Sequence, residues 1–381
     1  MGARGRALLI LVSLMGAMVG SALLLIARSG TVDPRNGGRG IQVAGNTAVD
    51  LALFKGEVLV WAAGGLSATE VRRVRDSSLV AAISAVRTGL LPVTSGRRDY
   101  PVIPVETMSV DPDAYGAALG RAGSQLKTML GRGVVLSRSG ASLRRLHRGG
   151  HLRLTGSRTI TVAGVVDDRL LGGYEAALNL ERGRRLGIDQ VGYLLLRPRG
   201  TQAALEAGVR GLLHGHKLGF RYPGQGPWFR AGDGTLPLAQ VKLRFGEFAV
   251  ASLAKPAPDP AWVQANIVTS LVPLLGQVHC HRAVVADLAG AMAELRRQHL
   301  EALVDVTAFK HSGGCLQRRS GRGARDLLSP QSWAIALDLA DASAAGPDRR
   351  LIAVMARHGF TWGGRWLQPA TGRFEWVGAA A

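Results

Sequence analysis

The N-terminus carries the feature that most constrains this chain. Arg4 and Arg6 precede a run from Ala7 to Ala27 without a charged residue. A bilayer-spanning helix needs roughly 20 predominantly apolar residues, so the run is long enough to cross a membrane. Because Leu23–Ile26 keeps bulky residues up to its end, the run predicts a retained signal anchor rather than a cleaved signal peptide. Basic residues stay on the cytoplasmic side, which predicts that everything after Arg28 lies outside the cell membrane.

The charge balance of the chain favours anionic partners. Its 381 residues carry 47 basic and 27 acidic side chains, a net charge of +20. The basic side chains are mostly arginines, and they cluster, as around Arg72–Arg75 and Arg182–Arg185. Such a balance suits nucleic acid, anionic envelope polymers or lipid head groups, although exposed arginines can also be merely solvated. Because most of the chain is predicted to be extracytoplasmic, no nucleic-acid partner is expected.

Cys280 and Cys315 are the two cysteines of the chain. Outside the cytoplasm, a cysteine pair favours a disulfide. The alternative is a metal site, because His279 and His281 flank Cys280. Adjacent residues rarely converge on one ion, and this favours the disulfide.

Composition divides the chain into four predicted segments. The anchor covers 1–28, a Gly- and Arg-rich tether covers 29–40, an α+β extracytoplasmic domain covers 41–230, and a second domain covers 231–381. The boundary near residue 230 is set by Pro- and Gly-rich loops on either side of it.

Alternation and helical spacing predict the main elements of both domains. Strands are predicted at Val58–Trp61, in a hairpin of Leu152–Leu154 with Thr159–Val166, at Tyr193–Leu196 and at Val241–Phe245. Helices are predicted at Gln202–Leu213, His281–Gln298 and Asp348–His358. The segment 133–197 looks like the extracytoplasmic core of macrolide-exporter-type transporter permeases, which implies a non-catalytic α+β module.

Several ordered blocks in the last third of the chain carry a chemical signature. They are Cys280-His281-Arg282, Gly314-Cys315, Leu328–Asp338, Gly359–Trp366 and Phe374-Glu375-Trp376. Together they resemble the D-alanyl-D-alanine carboxypeptidase-like peptidases, which include VanY-type carboxypeptidases and L-alanoyl-D-glutamate endopeptidases. The resemblance implies an α+β peptidase domain with a small antiparallel sheet, one zinc ion, and peptidoglycan peptides as substrates.

The first metal-binding motif of that family, Ser-x-His-x-x-Gly-x-Ala-x-Asp, is matched in part. Ser329, Ala336 and Asp338 agree with it. Gln331 stands where the family has a zinc-binding histidine, and Ala334 stands where it has glycine. The resemblance therefore implies that Asp338 is a retained metal-ligand position and that Gln331 is a substituted one.

The second motif, Asp-x-x-His-Phe-Glu, is also incomplete. Phe374 and Glu375 match it, whereas Ala370 replaces the acidic general base and Arg373 replaces the third zinc ligand. Glu375 is then expected to support the residue at the ligand position, here by bracing Arg373.

These substitutions remove the requirements of zinc hydrolysis. Catalytic zinc needs three protein ligands and an open position for water, and only Asp338 remains. Arg373 has no acceptor atom and stays protonated, and Ala370 cannot accept a proton from an attacking water. We therefore predict that no cofactor is bound, and that Arg373 takes the place of the metal through a paired hydrogen bond to Asp338. Zinc is expected only if the chain is an active peptidase.

Other residues of the same region are candidates for ligand contact. Arg319, with Arg318 beside it, is the best match to an arginine that the family associates with substrate carboxylates, although it can equally be an exposed arginine of a basic loop. Ser329 is a further candidate for substrate contact. His311, predicted to lie in a loop, and His358, at a helix C-terminus, are read as structural residues rather than as replacement ligands.

The sequence thus predicts a single-pass, membrane-anchored cell-surface protein whose peptidase-like domain has lost catalysis. Such a domain would bind cell-wall peptides, anionic envelope polymers or another envelope protein. Two alternatives remain open. One is an active zinc carboxypeptidase or endopeptidase of peptidoglycan peptides with an altered metal site. The other is an accessory protein of a transporter or secretion system that acts through residues 41–220.

Overall fold

The computed structural model describes residues 56–222, 234–254, 256–316, 328–340, 346–367 and 369–378. These residues all belong to one compact unit. The predicted anchor 1–28 and tether 29–40 lie outside the described residues, as do Arg318 and Arg319. In the described ranges, no helix has the length and apolar character that a bilayer crossing requires.

A nine-stranded mixed sheet is built from residues 58–221. Its strands are β1 (Val58–Leu66), β2 (Val80–Thr94), β3 (Val102–Val110), β4 (Val134–Ser137), β5 (His151–Arg153), β6 (Thr159–Val166), β7 (Ala176–Asn179), β8 (Val191–Pro198) and β9 (Leu218–Arg221). The order across the sheet is β5-β6-β4-β7-β3-β2-β8-β1-β9. The β2–β3, β2–β8 and β1–β8 pairs are antiparallel, whereas β3–β7 and β4–β6 are parallel.

Helices cover both faces of this sheet. They are α1 (Ala68–Arg75), α2 (Pro112–Ala118), α3 (Gly123–Arg132), α4 (Arg138–Arg144), α5 (Leu180–Arg185) and α6 (Gln202–Leu212). On one face, Tyr115 of α2 and Leu126 of α3 pack in an apolar cluster with Met108 and Tyr193 of the strands. The opposite face carries two separate clusters, one beneath α1 and α6 and one beneath α4.

The C-terminal region is a second α+β layer with two small antiparallel sheets. Its elements are α7 (Leu238–Phe245), α8 (Pro260–Asn266), β10 (Ile267–Val272), β11 (Gly276–His281), α9 (Val285–Arg297), α10 (Val306–His311), β12 (Ala336–Asp338), α11 (Arg349–Arg357), β13 (Phe360–Trp362) and β14 (Arg373–Trp376). One small sheet pairs β10 with β11, and the other has the order β12-β14-β13. The predicted mixed α+β class with small antiparallel sheets is confirmed.

The two predicted domains share a hydrophobic core. Leu90 and Val102 of the large sheet belong to the same apolar cluster as Met292 of α9 and Met355 of α11. The predicted boundary near residue 230 falls outside the described residues and stays a prediction.

The strand predicted at Val241–Phe245 is wrong, because this segment is the helix α7. Four of its five buried residues recur at the i, i+3, i+4 and i+7 positions of one helical face; they are Leu238, Val241, Lys242 and Phe245, and the fifth is Ala239. Because one of these buried residues is the charged Lys242, the helical spacing cannot be recognised from the apolar residues alone.

Two further sequence predictions need correction. The helix predicted from His281 begins at Val285, because Cys280 and His281 are the last residues of β11 and pair with Val268 and Ile267. His311 does not lie in a loop but is the last residue of α10.

The predicted disulfide between Cys280 and Cys315 is confirmed. Both cysteines are buried. Side chains of successive strand residues point to opposite faces, so His279 and His281 of β11 face away from Cys280. This geometry opposes the alternative metal site at Cys280.

Removing the disulfide is expected to lower the free energy of unfolding by about 2–4 kcal/mol, because a cross-link over a loop of this size restricts the unfolded chain. The bridge closes a sequence separation of 35 residues. Urea unfolding of the Cys280→Ala/Cys315→Ala variant, compared with the oxidised protein, measures the loss. A reductant should then have no further effect on the variant, and equal unfolding midpoints for the two proteins would contradict the expectation.

Candidate functional site

The antiparallel pairing of β12 with β14 brings the two central predicted residues together. Asp338 lies directly opposite Arg373 in the strand register. The Arg373 Nε donates to Asp338 Oδ1 at 2.8 Å, and Nη2 donates to Oδ2 at 3.2 Å. The predicted paired hydrogen bond is thus confirmed. The side chain of Arg373 is 4% exposed and that of Asp338 is 15% exposed, so the pair is largely removed from water.

The turn that leads into β12 holds Ser329 and Gln331. The Ser329 hydroxyl accepts a hydrogen bond from the Gln331 backbone N–H at 3.4 Å, at the start of a 3-10 turn. Both side chains are buried. The Nε2 of Gln331 has no hydrogen-bond partner within the described ranges. Gln331 is therefore a buried amide in a tight turn.

The same turn ends at Ala334, whose φ of 55° lies in the left-handed region. This conformation costs an L-residue with a Cβ about 1–2 kcal/mol. A buried alanine thus occupies a backbone position that favours glycine.

Ala334→Gly is expected to change the free energy of unfolding by less than about 1 kcal/mol. Relief of the left-handed strain offsets the loss of about 0.8 kcal/mol for one buried methyl and about 0.5–1 kcal/mol for the added freedom of the unfolded chain. Ala336→Gly is the matched control, because Ala336 is equally buried but lies in extended β12. That variant should lose about 1–2 kcal/mol. Equal losses in urea unfolding would count against the expectation.

The predicted general-base position, Ala370, lies in the turn before β14. Its N–H donates to the Gly363 carbonyl at 3.0 Å, and its carbonyl accepts from the Arg373 N–H at 3.0 Å. Ala370 is 4% exposed. A methyl group at this buried position cannot take a proton from water.

Glu375 is fully buried in β14, and its Oε2 accepts a hydrogen bond from the Thr235 backbone N–H. Trp366 Nε1 donates to the Thr235 hydroxyl at 3.0 Å, so the same threonine is held twice. Glu375 therefore fastens the segment before α7 to β14. The bracing of Arg373 by Glu375 stays a prediction.

Tryptophan side chains frame this region through hydrogen bonds to the protein itself. Trp333 Nε1 donates to the Gly246 carbonyl at 2.9 Å, and Trp362 Nε1 donates to the Thr371 carbonyl at 2.8 Å. Because both indole N–H groups are bonded to backbone carbonyls, the two tryptophans have a structural rather than a ligand-binding role.

His281, which sequence reasoning weighed only as a metal ligand, is a buried neutral base. Its Nδ1 accepts the Ala283 backbone N–H at 3.2 Å, and its ring meets the Phe245 ring edge-on at 5.2 Å. Burial lowers the pKa of His281 from 6.5 to about 4. Acceptance at Nδ1 places the remaining ring proton on Nε2.

Because His281 is buried in its neutral form, the protein is expected to lose stability in acid. The unfolded state takes up a proton below pH 6.5, whereas folded His281 resists protonation until about pH 4. The contribution of His281 to the unfolding free energy is therefore fully present above pH 6.5. It is lost as the pH falls from 6.5 to about 4, by about 3 kcal/mol in total. His281→Phe should flatten that part of a plot of unfolding free energy against pH. Exposed His147→Gln is the control and should leave the slope unchanged.

The donor set at Asp338 does not fit zinc. Both carboxylate oxygens of Asp338 accept from the Arg373 guanidinium, which is itself unable to ligate a cation. In the part of the chain that the structure describes, no three His, Cys, Asp or Glu side chains are grouped to hold a metal ion. The expectation that no cofactor is bound stays a prediction.

Comparisons with known proteins yield only weak structural similarity. No protein family and no curated protein matches the sequence. The periplasmic region of MacB from Actinobacillus actinomycetemcomitans is 15% identical, over 45% of this chain and 91% of that chain, with a TM-score of 0.31. The extracellular domain of the noncanonic ABC-type transporter YknZ from Gram-positive bacteria is 11% identical, over 43% of this chain and 98% of that chain, with a TM-score of 0.31. Similarity at this level decides neither an activity nor a partner.

Proposed function

We propose that this chain is a membrane-anchored cell-surface protein whose C-terminal region is a non-catalytic relative of peptidoglycan peptidases. In this proposal, residues 231–381 bind cell-wall peptides or an envelope protein without hydrolysing them, and the N-terminal helix holds them at the membrane. The observation that carries the proposal is the two-point ion pair between Asp338 and Arg373.

The ion pair opposes zinc hydrolysis for an electrostatic reason. A guanidinium keeps its charge at all physiological pH values and would repel a divalent cation at ligand distance. It also satisfies the carboxylate that a metal would otherwise neutralise, since an unpaired charge at this depth is expensive. The site is thereby complete without an ion.

Two backbone features support the alignment with the peptidase motifs. Ala334, at the position where the family has glycine, has a left-handed conformation that favours glycine. Asp338 and Arg373, at the positions of two family ligands, lie opposite each other on paired strands. The conformation of Ala334 and the proximity of Asp338 to Arg373 both support placing these residues at the motif positions.

Metal content and peptide turnover of the full-length protein in detergent test the proposal. We expect substoichiometric zinc by mass spectrometry, no cleavage of muropeptides, and muropeptide binding that a chelator does not change. The Gln331→His/Ala370→Asp/Arg373→His variant should gain zinc. Adding Asp338→Asn to that variant is the matched control and should abolish the gain.

The outcomes separate the alternatives. Stoichiometric zinc with chelator-sensitive cleavage by the unaltered protein would establish the active metallopeptidase instead. Absence of both cleavage and muropeptide binding would overturn the wall-peptide part, and capture of a defined envelope protein by the same region would then identify its partner.

A further inference from the structure

The longest stretch of the chain without an acidic residue lies between Asp113 and Asp167, and it contains eight arginines and one lysine. It supplies α3, β4, α4 and the β5–β6 hairpin, which lie together at one edge of the large sheet. Two of these nine cations are paired within the protein, Lys127 with Asp113 and Arg144 with Glu175. The other seven have no ion-pair partner among the described residues, so this edge of the sheet carries an uncompensated positive charge.

Two cross-strand pairs of the hairpin place nitrogen donors beside hydroxyl groups. His151 lies opposite Thr161, and Arg153 lies opposite Thr159. Residues that face each other on antiparallel strands have Cβ atoms about 4.5–5.5 Å apart, and the two pairs are about 7 Å apart along the strands. All four residues are exposed, and their side chains make no hydrogen bond or ion pair within the described ranges. Each pair therefore offers a nitrogen donor and a hydroxyl donor at one point of the surface.

The two pairs share the face of the sheet that α3 covers. Leu152, between the two nitrogen donors, belongs to the apolar cluster beneath α4, so its neighbours in β5 point to the other face. The end of α3 meets the hairpin there, because a Cβ added at Gly133 would collide with the Thr161 carbonyl oxygen and lie 3.3 Å from the Ala163 Cβ. Arg132, the last residue of α3, directly precedes Gly133 and is exposed. A second arginine therefore borders the two pairs.

We propose that Arg132, His151 and Arg153, together with the paired threonines Thr159 and Thr161, bind successive phosphodiester groups of a soluble anionic polymer. Arginine forks and threonine hydroxyls are among the groups with which proteins contact phosphate oxygens. Two donor pairs in a row suit a chain that carries a charge on every repeat. This surface lies on the large sheet and is independent of the proposed peptide-binding function of the C-terminal region.

The composition of the hairpin favours a soluble phosphate polymer over a membrane or a nucleic acid. Its exposed side chains from His147 to Thr161 are those of His, Arg, Ser and Thr alone. Attachment to a bilayer surface gains from apolar side chains that enter the acyl boundary, and single-stranded nucleic acid is bound on aromatic side chains. Neither kind is exposed on the hairpin. Binding through phosphates alone should weaken steeply with salt.

Isothermal titration of the full-length protein in nonionic detergent with poly(glycerol phosphate) tests the proposal. Arg132→Gln and, separately, Arg153→Gln should each weaken binding about tenfold, since a charge-assisted hydrogen bond is lost. Thr159→Val keeps the shape and the charge of the surface but removes one hydroxyl, and it should weaken binding about threefold. All three residues are exposed, so the melting temperature should not change.

Two exposed arginines far from the hairpin in sequence serve as matched controls. Arg184 lies in α5 and Arg296 in α9, and neither has an ion-pair partner among the described residues. Arg184→Gln and Arg296→Gln each remove the same charge as the hairpin variants, so they should weaken binding less than about twofold through the net charge alone.

Several results would overturn the site. Equal losses for the hairpin variants and the two controls would show binding by diffuse charge alone, and full affinity in Thr159→Val would reject the paired donors. Tighter binding to polyacrylate than to poly(glycerol phosphate) would reject phosphodiester chemistry. Binding to detergent micelles that contain phosphatidylglycerol, without binding to the polymer, would assign the surface to a membrane. Muropeptide binding should be unchanged in all five variants, which separates this site from the C-terminal one.

Discussion

Replacing Lys242 with methionine is expected to lower the free energy of unfolding by about 3–5 kcal/mol, because the change leaves a buried charge uncompensated. Lys242 of α7 is 2% exposed, and its Nζ donates to Glu175 Oε1 at 2.8 Å. Glu175 is fully buried and lies just before β7 of the large sheet. This contact joins the C-terminal region to the sheet at a point that water does not reach.

The network around Lys242 contains two cations and two anions. Arg144 of α4 donates to Glu175 Oε2 at 2.8 Å and to Glu247 Oε1 at 3.0 Å, and Lys242 lies 3.1 Å from the same Glu247 oxygen. Burial alone would raise the pKa of Glu175, but Lys242 and Arg144 together hold it below its usual value. Without Lys242, Glu175 should bind a proton more readily, so the Lys242→Met variant should lose less stability at pH 5 than at pH 7.

Two controls distinguish this network from ordinary ion pairs. Lys242→Met/Glu175→Gln removes one charge of each sign and keeps the Arg144–Glu247 contact, so more than half of the loss should be recovered in urea unfolding. Arg210→Met removes an exposed pair with Glu206 and should cost less than about 1 kcal/mol. A loss for Lys242→Met no larger than that for Arg210→Met would contradict the expected role.

Much of the large sheet follows from sequence alternation, whereas its contacts with the C-terminal region do not. The predicted strand at Val58–Trp61 is part of β1 and the one at Thr159–Val166 coincides with β6, because buried apolar residues recur there in strand patterns. The error at α7 arose at Lys242, since a lysine is rarely buried and its partner Glu175 is 67 residues away in sequence. Only the folded chain shows that the two charges meet.

Of the candidate site, the Asp338–Arg373 pair was predictable from the sequence and the environment of His281 was not. Asp338 and Arg373 are 35 residues apart, and motif alignment alone placed them together. The burial of His281 was not predictable. Its ring packs against Phe245, which lies in a helix where the sequence predicts a strand.

Replacing Arg373 with methionine is expected to cost about 3–5 kcal/mol of unfolding free energy, because Asp338 would lose its cationic partner at a site that is only 15% exposed. Arg373→Lys keeps the charge but loses the fork that meets both carboxylate oxygens, so it should give an intermediate loss. Asp338→Asn/Arg373→Met removes both charges and should recover most of the stability. Urea unfolding of the two single variants and the double variant gives their coupling energy, which should exceed about 2 kcal/mol. A coupling near zero would mean that the carboxylate is compensated by another group. In that case Arg373 does not neutralise Asp338, and the ion pair no longer opposes a metal at this position.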